Sequence, residues 1–252
     1  MQNETSPFSP ALISGIDVHD LTLRFGDKPV FESLSFAIPS GHFTTLLGAS
    51  GVGKTSLLKI IAGLTKPTSG RVTGSDGQPV KGRVAYMGQK DLLYPWLTVE
   101  ENITLASRLQ GKKADREWAG DLLERVGLTG YGNSLPAALS GGMRQRVALA
   151  RTLYQRQPIV LMDEPFSALD AITRASIQTL AAELLAGHTV LLITHDPMEA
   201  CRLSHQLLVL SPPPGGIDAS HQIAGHPPRA PDDASLLQSQ GQLLQQLLRA
   251  SA

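Results

Sequence analysis

The chain has 252 residues, of which 42% are hydrophobic, so it can bury a core large enough for one α/β domain with an inserted subdomain. Lys and Arg together number 22, as do Asp and Glu, so the formal net charge is zero and argues against a nucleic-acid partner held by long-range attraction. No apolar run approaches the roughly 18 to 20 residues that a membrane-spanning helix needs.

Two further features bear on the cellular context of the chain. Residues 1–14 contain no basic start followed by an apolar stretch, so we expect a loose N-terminal tail rather than a secretion signal. The single cysteine, Cys201, cannot form an internal disulfide, which is typical of a protein in a reducing cytosol.

The N-terminal part of the chain predicts β-structure that leads into a helix. Residues 16–47 are β-rich, with polar and apolar residues alternating over 18–25 and a turn at 26–27. A second turn at 39–41 precedes a strand at 43–47. After Thr55 the apolar spacing becomes helical, and Gly63 stands near the end of that helix. Strand, glycine-rich loop and helix is the order expected of a phosphate-binding loop.

The middle of the chain predicts a helical insert between strands. Residues 71–87 indicate short strands interrupted by a turn at 74–77, and helices dominate from about 91 to 153. The elements predicted there and beyond are a helix at 114–126 with Trp118, Leu122, Leu123 and Val126 on one face, a strand at 159–162, a helix at 171–185 and a strand at 189–194. Continuous apolar strands that alternate with helices predict a parallel sheet covered on both faces.

Beyond Leu210 the composition changes. Residues 211–216 include three consecutive prolines and predict a linker, and residues 235–248 predict an amphipathic helix that packs against the core rather than a partner helix. We therefore expect a tail at 1–14, one domain at 15–210 with its insert at about 91–153, and a linker with a short helical tail at 211–252.

A phosphate loop is the first motif that carries chemistry. Residues 48–55 match G-x-x-x-x-G-K-[ST], in which glycines turn backbone N–H groups toward a phosphate. Lys54 supplies a positive charge to the β- and γ-phosphates, and the Thr55 hydroxyl is a Mg²⁺ ligand. The alternative is a glycine-rich turn before a helix. The predicted nucleotide contacts in this segment are Gly48, Ala49, Ser50, Gly51, Val52, Gly53, Lys54, Thr55 and Ser56.

Polar residues follow two of the apolar strands. Asp163 and Glu164 end the strand at 159–162, where the carboxyl edge of a parallel sheet forms a ligand crevice. Asp163 can hold the Mg²⁺ shell, and Glu164 can polarise the attacking water. His195 ends the strand at 189–194 and can reach the γ-phosphate. The alternatives are an exposed acidic turn for the acids and a hydrogen-bonded structural role for the histidine.

Two other candidates have weaker support. Gln89 follows the strand at 84–87, where a polar residue is ordinary. Phe25 can stack on a purine ring, although an aromatic residue in a β-strand normally belongs to the core.

The run Leu139-Ser140-Gly141-Gly142-Met143 precedes a helix predicted from 143 to about 154. The first N–H groups of a helix lack intrahelical partners and carry the positive end of its dipole, so this terminus is an anion-binding candidate. The alternative is an ordinary N-cap by Ser140.

Taken together, these segments resemble the nucleotide-binding subunit of an ATP-binding cassette (ABC) transporter, from about residue 16 to 210. The resemblance is carried by the phosphate loop, the glutamine at Gln89, the signature at 139–143, the acidic pair, the D-loop at 167–170 and the switch histidine His195, all in the family's order. It implies a RecA-like P-loop NTPase core with an antiparallel β subdomain and an inserted α-helical subdomain.

The resemblance also implies a head-to-tail homodimer with two ATP molecules at its interface. Each ATP lies on one chain's phosphate loop and is covered by Ser140, Gly141 and Gly142 of the other. Glu164 and His195 are then the catalytic residues, and Thr55, Gln89 and Asp163 hold Mg²⁺. The remaining implied ATP contacts are Phe25, Gln89 and Asp170.

The implied partners are transmembrane permease subunits and, through them, a solute-binding protein. The implied location is cytoplasmic, on the inner face of the cell membrane. Residues 91–102 and 163–170 are most similar to importer subunits of the nitrate, sulfonate, taurine and thiamine-precursor group, and residues 139–153 and 162–174 to hydroxymethylpyrimidine-type ATPases. Tyr94 is an extra residue compared with the commoner Leu-Leu-Pro-Trp form.

Three alternatives remain at this point. A soluble ABC ATPase of translation or chromosome maintenance usually has duplicated cassettes or a long coiled-coil insert, and a P-loop kinase or GTPase does not explain Ser140 to Gly142 or His195. A purely structural nucleotide-binding module would be favoured if Glu164 were absent.

Overall fold

The computed structural model describes residues 14–213, 215–230, 232–233, 236–237, 239–241, 243 and 245. The strands are β1 (Ile16–Phe25), β2 (Lys28–Ile38), β3 (Phe43–Leu47), β4 (Ser69–Gly74), β5 (Val84–Met87), β6 (Ile159–Asp163), β7 (Thr189–Ile193), β8 (Gln206–Leu210) and β9 (Ile217–Gln222). The helices are α1 (Lys54–Ile61), α2 (Val99–Leu109), α3 (Arg116–Arg125), α4 (Gly141–Tyr154), α5 (Ala171–Leu184) and α6 (Pro197–Leu203), with a short 3-10 turn at Pro136–Ala138.

The larger sheet has six strands in the order β5-β6-β7-β3-β8-β9, and all neighbours except β8 and β9 are parallel. Every residue of β3, β6, β7 and β8 is buried, because helices and the second sheet cover both faces. This confirms the predicted parallel sheet of continuous apolar strands.

The smaller sheet is antiparallel, with the order β2-β1-β4. It packs on α1 and on one face of the larger sheet, in a core that includes Ile16, Phe31, Leu57 and Ile193. The sequence predicted short strands over 71–87, interrupted by a turn, without assigning them to separate sheets; the structure places β4 in the antiparallel sheet and β5 at the edge of the parallel one.

The helices α2, α3 and α4 lie between β5 and β6 along the chain and share a second core with the opposite face of the parallel sheet. Capping residues fix two of their starts. The side chain of Thr98 accepts a hydrogen bond from the Glu101 N–H, with the reciprocal bond of a capping box, and Asp115 accepts one from the Trp118 N–H. The predicted helix at 114–126 therefore begins at Arg116. The fold class predicted from the sequence is confirmed.

The C-terminal part differs from the predicted linker. After the prolines, β9 pairs antiparallel with β8 and extends the parallel sheet. Residues 236–237, 239–241, 243 and 245 are helical, and Leu236 and Leu243 pack with Cys201 and Leu207 in a third apolar cluster. This agrees with the predicted packing of the tail against the core. The rest of the predicted helix at 235–248, and residues 1–13 of the predicted tail, lie outside the described residues. Of the helices in the described part, none is long and apolar enough to cross a membrane.

Candidate functional site

The phosphate loop joins the end of β3 to the start of α1. Gly48 has φ of 151°, and a Cβ at this position would lie 2.6 Å from the Leu210 carbonyl oxygen. Gly53 has φ of 104°, and a Cβ there would collide with the Val30 side chain. Both positions therefore require glycine, which lets the loop approach the neighbouring strands closely enough to turn back into α1.

Lys54 closes this loop from the first turn of α1. Its ammonium group donates hydrogen bonds of 2.8 Å to the carbonyl oxygens of Gly48 and Ala49. Burial lowers the pKa of Lys54, while the carboxylates of Glu164 and Asp163 oppose that shift. The cation is thus held at the loop by the backbone on one side and two acids on the other.

The loop opens on a cleft of about 320 Å³. Its lining consists of Ser50, Gly51, Gly53, Lys54, Thr55, Ser56, Gln89, Glu164 and Ile193. The structure therefore brings most of the predicted phosphate-loop residues together with Gln89 and Glu164, which come from distant parts of the sequence. The lining is mostly polar, which suits a phosphate-bearing ligand better than an apolar one.

Asp163 ends β6 beneath this cleft and is 2% exposed. Burial raises the pKa of its carboxyl group, and a hydrogen bond from the Thr55 side chain opposes that rise. Its Oδ2 atom is buried and finds no hydrogen-bond donor within the described residues. A buried carboxylate oxygen without a partner is costly unless it meets a donor or a cation, so this atom is available to a ligand.

Glu164 has both carboxylate oxygens held by side chains. Its Oε2 accepts a hydrogen bond of 3.2 Å from the Gln89 amide, and its Oε1 lies 3.2 Å from His195 Nδ1. The backbone of Glu164 has φ of 49°, in the left-handed region, while its N–H donates to the Ile193 carbonyl at 2.9 Å. Such a conformation costs on the order of 1–3 kcal/mol and persists only where the surroundings hold it.

His195 stands two residues beyond β7 with its side chain 66% exposed. The alternative of a hydrogen-bonded structural histidine stays open, because the ring contacts a carboxylate. The ring lies 3.2 Å from Glu164 but does not line the phosphate-loop cleft, so its reach to the γ-phosphate stays a prediction.

A second cavity, of about 60 Å³, lies beside this pair. It is lined by Glu164, Phe166, Ser167, Arg174, Thr194, His195, Asp196 and Glu199. Burial raises the pKa of Glu199 to about 7. The sequence analysis did not single out Arg174 or Glu199. The signal for Glu199 was its position four residues after His195, in the first turn of α6, although this position alone does not distinguish it from a surface acid.

Ser140 caps α4, because its Oγ accepts a hydrogen bond of 3.2 Å from the Met143 N–H. The helix starts at Gly141, two residues before the predicted start. The N-cap alternative is therefore confirmed as a local description. None of Ser140, Gly141 and Gly142 lines the cleft. Gly142 lies against the D-loop instead, where an added Cβ would be 3.5 Å from the Ala168 carbonyl oxygen.

The cleft lining also omits five other predicted ATP contacts, which are Phe25, Gly48, Ala49, Val52 and Asp170. Phe25 ends β1 with 64% of its surface exposed, so the alternative of a core aromatic is wrong. Asp170 caps α5 by accepting a hydrogen bond of 3.0 Å from the Thr173 N–H. The Val52 side chain is buried in the core, which leaves only its backbone to face a nucleotide. Their contacts with ATP stay predictions.

Comparison with known proteins agrees with this geometry. The family model described as ABC transporter matches residues 31–167. An uncharacterized ABC transporter ATP-binding protein of Haemophilus influenzae is 44% identical over 242 residues, which cover 92% of this chain and 98% of that protein. The aliphatic sulfonates import ATP-binding protein SsuB 1 of Pseudomonas savastanoi is 42% identical, over 90% of this chain and 93% of that protein. The taurine import ATP-binding protein TauB of Burkholderia pseudomallei is 45% identical, over 79% of each.

Solved structures lead to the same family. A dimeric ATP-binding cassette in a post-hydrolysis state, bound to ADP and Pi, superimposes with a TM-score of 0.75 at 29% identity, over 83% of this chain and 99% of that one. A second dimeric structure of the same cassette, described as a bacterial ABC transporter cassette, gives a TM-score of 0.74 at 30% identity, over the same shares of the two chains. The chain therefore belongs to the ABC transporter family, as an ATP-binding and ATP-hydrolysing subunit.

Proposed function

We propose that this chain drives an importer of sulfonates such as taurine, by binding and hydrolysing ATP between two copies of itself. The observation that carries the ATPase part is the cleft in which Glu164 is held between Gln89 and His195 beside the phosphate loop. Support for the solute comes from relatives named for the import of aliphatic sulfonates and of taurine.

ATP would bind with its β- and γ-phosphates on the loop around Lys54. The glycines allow the loop N–H groups to face the phosphates, and the α1 N-terminus adds its partial positive charge. Ser140, Gly141 and Gly142 lie outside the chain's own cleft at an exposed helix start, as a surface that covers the ATP of a second copy requires. The dimeric state of the superimposed cassettes supports a homodimer.

The donor set beside Lys54 fits Mg²⁺. Asp163 offers a buried oxygen without a donor in the described part of the chain, and the Thr55 hydroxyl lies next to it. Hard oxygen ligands of this kind are those Mg²⁺ prefers, and it usually keeps several waters and phosphate oxygens as further ligands. When bound with ATP, the ion would neutralise charge on the phosphate oxygens. Gln89 lines the same cleft and is the further residue proposed to reach the metal.

Glu164 is proposed to be the general base. It would accept a proton from the attacking water while the water oxygen bonds to the γ-phosphorus and the bond to the β–γ bridging oxygen breaks, leaving ADP and phosphate. Gln89 and His195 would fix the direction of the carboxylate, because each contacts a different oxygen. Lys54 would stabilise the negative charge that moves to the leaving oxygen.

Membrane permease subunits are the proposed partners, which would place the chain on the inner face of the membrane, and a solute-binding protein would act through them. The segment after Gln89 exposes large apolar side chains, with Leu92 at 61% and Trp96 at 70%. Exposed apolar groups of this size are typical of protein interaction sites. The helical insert and this segment would pass the opening and closing of the dimer to the permease.

Uptake by cells that lack the gene tests this function. Labelled taurine, an alkanesulfonate, nitrate and hydroxymethylpyrimidine would be offered to deletion cells that carry the wild-type chain or the Glu164→Gln variant. We expect the wild-type chain alone to restore sulfonate or taurine uptake. Restored uptake of only nitrate or only hydroxymethylpyrimidine would contradict the sulfonate assignment. Equal uptake of every solute with both chains would contradict the role in import.

A further inference from the structure

Two arginines of α4 face the segment that follows Gln89. Arg144 and Arg151 are seven residues apart, which places them two turns apart on one side of the helix. Arg151 donates hydrogen bonds of 2.6 Å to the Asp91 carbonyl oxygen and 2.8 Å to the Leu92 carbonyl oxygen. The backbone just after Gln89 is therefore attached to α4, the helix that begins at the signature turn.

Arg144 makes the second attachment, and it reaches in two directions. Its Nε donates a hydrogen bond of 3.0 Å to Asp91 Oδ2, and its Nη1 donates one of 2.8 Å to the carbonyl oxygen of Leu139. Leu139 is the residue directly before Ser140. One guanidinium group thus contacts both the segment after Gln89 and the backbone that leads into the signature turn, and its planar shape fixes the angle between the two.

The segment itself is held in one conformation. Asp91 accepts a hydrogen bond of 3.1 Å from the Leu93 N–H through Oδ1, and Leu92 adopts φ of 48°, in the left-handed region. A leucine in this region is strained, so the contacts around it must hold it in place. Gln89, two residues before Asp91, donates a hydrogen bond from its side-chain amide to Glu164 in the chain's own cleft. Displacement of Gln89 will therefore move a rigid segment rather than a loose loop.

We propose that Asp91 and Arg144 form a positioning pair that links the two ATP sites of the dimer. The inference rests on the proposed function, in which Gln89 lines the chain's own ATP cleft and Ser140 covers the ATP on the other copy. When ATP binds at its own phosphate loop, Gln89 and Asp91 shift together, and Arg144 transmits that shift to the signature turn. Each chain then presents Ser140 correctly only when its own site is filled, so the two sites act together.

A purely structural ion pair is the alternative, and the chain offers a matched control for it. Arg125 and Asp121 on α3 form an Nε to Oδ2 contact of 2.9 Å, almost the same geometry as the Arg144 and Asp91 contact. Both pairs are partly exposed, so simple loss of an ion pair should cost little stability in either case. Only the Asp91 and Arg144 pair lies between Gln89 and Ser140.

The test measures two equilibria in the full-length chain with the Glu164→Gln substitution, so that ATP is not consumed. The first is ATP binding to the single chain at low protein concentration, followed with a fluorescent ATP analogue. The second is the ATP-induced dimer dissociation constant from sedimentation. Asp91→Asn, Arg144→Gln and the double variant are compared with Asp121→Asn.

We expect each single variant to weaken the dimer roughly two- to thirtyfold, as for residues that couple two sites, while ATP binding to the single chain stays unchanged. The dimer dissociation constant of the double variant should not exceed that of the more strongly affected single variant, because both substitutions break the same contact. Asp91→Glu keeps the carboxylate, so its dimer dissociation constant should be closer to the parent value than that of Asp91→Asn. This comparison separates loss of the ion pair from misfolding. Asp121→Asn should have the same ATP affinity and the same dimer dissociation constant as the parent.

The inference would be overturned by an unchanged dimer dissociation constant in Asp91→Asn and Arg144→Gln. Additive effects on that constant in the double variant, or an equal effect in Asp121→Asn, would overturn it as well. A different result marks failure of the proposed function. If the parent chain binds ATP and never dimerises, the two-chain site is wrong, and this inference falls with it.

Discussion

His195 Nδ1 lies 3.2 Å from Glu164 Oε1, at the junction between the phosphate-loop cleft and the smaller cavity beside it. The contact joins the residue after β6 to the second residue after β7, and the two strands are hydrogen-bonded neighbours in the sheet. The sheet thus brings an acid and an imidazole together at its carboxyl edge. Because the other Glu164 oxygen is held by Gln89, the carboxylate is oriented before any substrate arrives.

Replacing Glu164 with glutamine should separate ATP binding from hydrolysis. The amide keeps the size of the side chain but cannot accept a proton from water, so we expect steady-state phosphate release to fall by roughly 10²- to 10⁴-fold while the Kd for ATP stays near the wild-type value. Phosphate release and nucleotide binding would be measured on the same preparation. Glu117→Gln, an exposed acid on α3, is the control. Normal turnover in Glu164→Gln would refute the assignment of the base.

Replacing Lys54 with alanine should weaken nucleotide binding itself. Lys54 is the cation that bridges the loop carbonyls and faces both acids, and a charged hydrogen bond is worth about 1.5–3 kcal/mol. We therefore expect the Kd for ATP to rise roughly 10- to 100-fold. Equilibrium binding of a fluorescent ATP analogue checks this, with the exposed Lys66→Ala as the control. Unchanged affinity in Lys54→Ala would contradict the placement of the phosphates.

Glu199 should make stability depend on pH. Its carboxyl group is buried, accepts a hydrogen bond of 2.9 Å from the Gln178 amide and lies near Asp196, and its pKa is raised from 4.5 to about 7. The folded chain therefore binds this proton more tightly than the unfolded chain does. The contribution of Glu199 to the free energy of unfolding is therefore greatest below pH 4.5 and is lost as the pH rises through about 7, by up to about 3 kcal/mol in total.

Glu199→Gln removes this titration and keeps the shape of the side chain. We expect the wild-type chain to lose stability relative to Glu199→Gln between pH 5 and pH 8, measured by denaturant unfolding at a series of pH values. Glu183→Gln changes an exposed acid on α5 and should leave the wild-type pH profile unaltered. Parallel profiles for the wild-type chain and Glu199→Gln would show that the group does not titrate in this range.

Local sequence signals were sufficient for the elements with strong periodicity. The buried strands β6 and β7 contain four consecutive apolar residues each, and helix α5 starts at Ala171 as predicted because Asp170 caps it. The strand β9 was missed. Its sequence follows three prolines and lacks a clear alternation, and it forms because the edge of β8 offers a partner. A strand that forms because of its pairing partner cannot be recognised from the pattern of its own few residues.

The site was predictable where a residue's role follows from its place in a strand or loop. Lys54, Gln89 and Glu164 were named from sequence, and the structure brings all three to one cleft. The link between Asp91 and Arg144 was not foreseen, because the two residues are 53 positions apart and nothing in either segment alone pairs them. Phe25 was named as a purine contact with a core aromatic as the alternative, and its 64% exposure excludes only that alternative.

In the proposed dimer, Ser140 of one chain completes the ATP site of the other, so the dimer and Ser140 can be tested together. The most direct measurement is the solution mass of the Glu164→Gln chain with ATP, with ADP and without nucleotide, compared with the same chain carrying Ser140→Arg. We expect that ATP alone doubles the mass, and that Ser140→Arg abolishes the dimer while each single chain still binds ATP.

Ser140→Ala is the control for loss of the N-cap hydrogen bond, which should cost about 1 kcal/mol of stability. The small alanine side chain should not obstruct the interface as arginine does. A dimer that persists in Ser140→Arg, or a Glu164→Gln chain that binds ATP and keeps the mass of one chain, would show that Ser140 does not complete a shared ATP site.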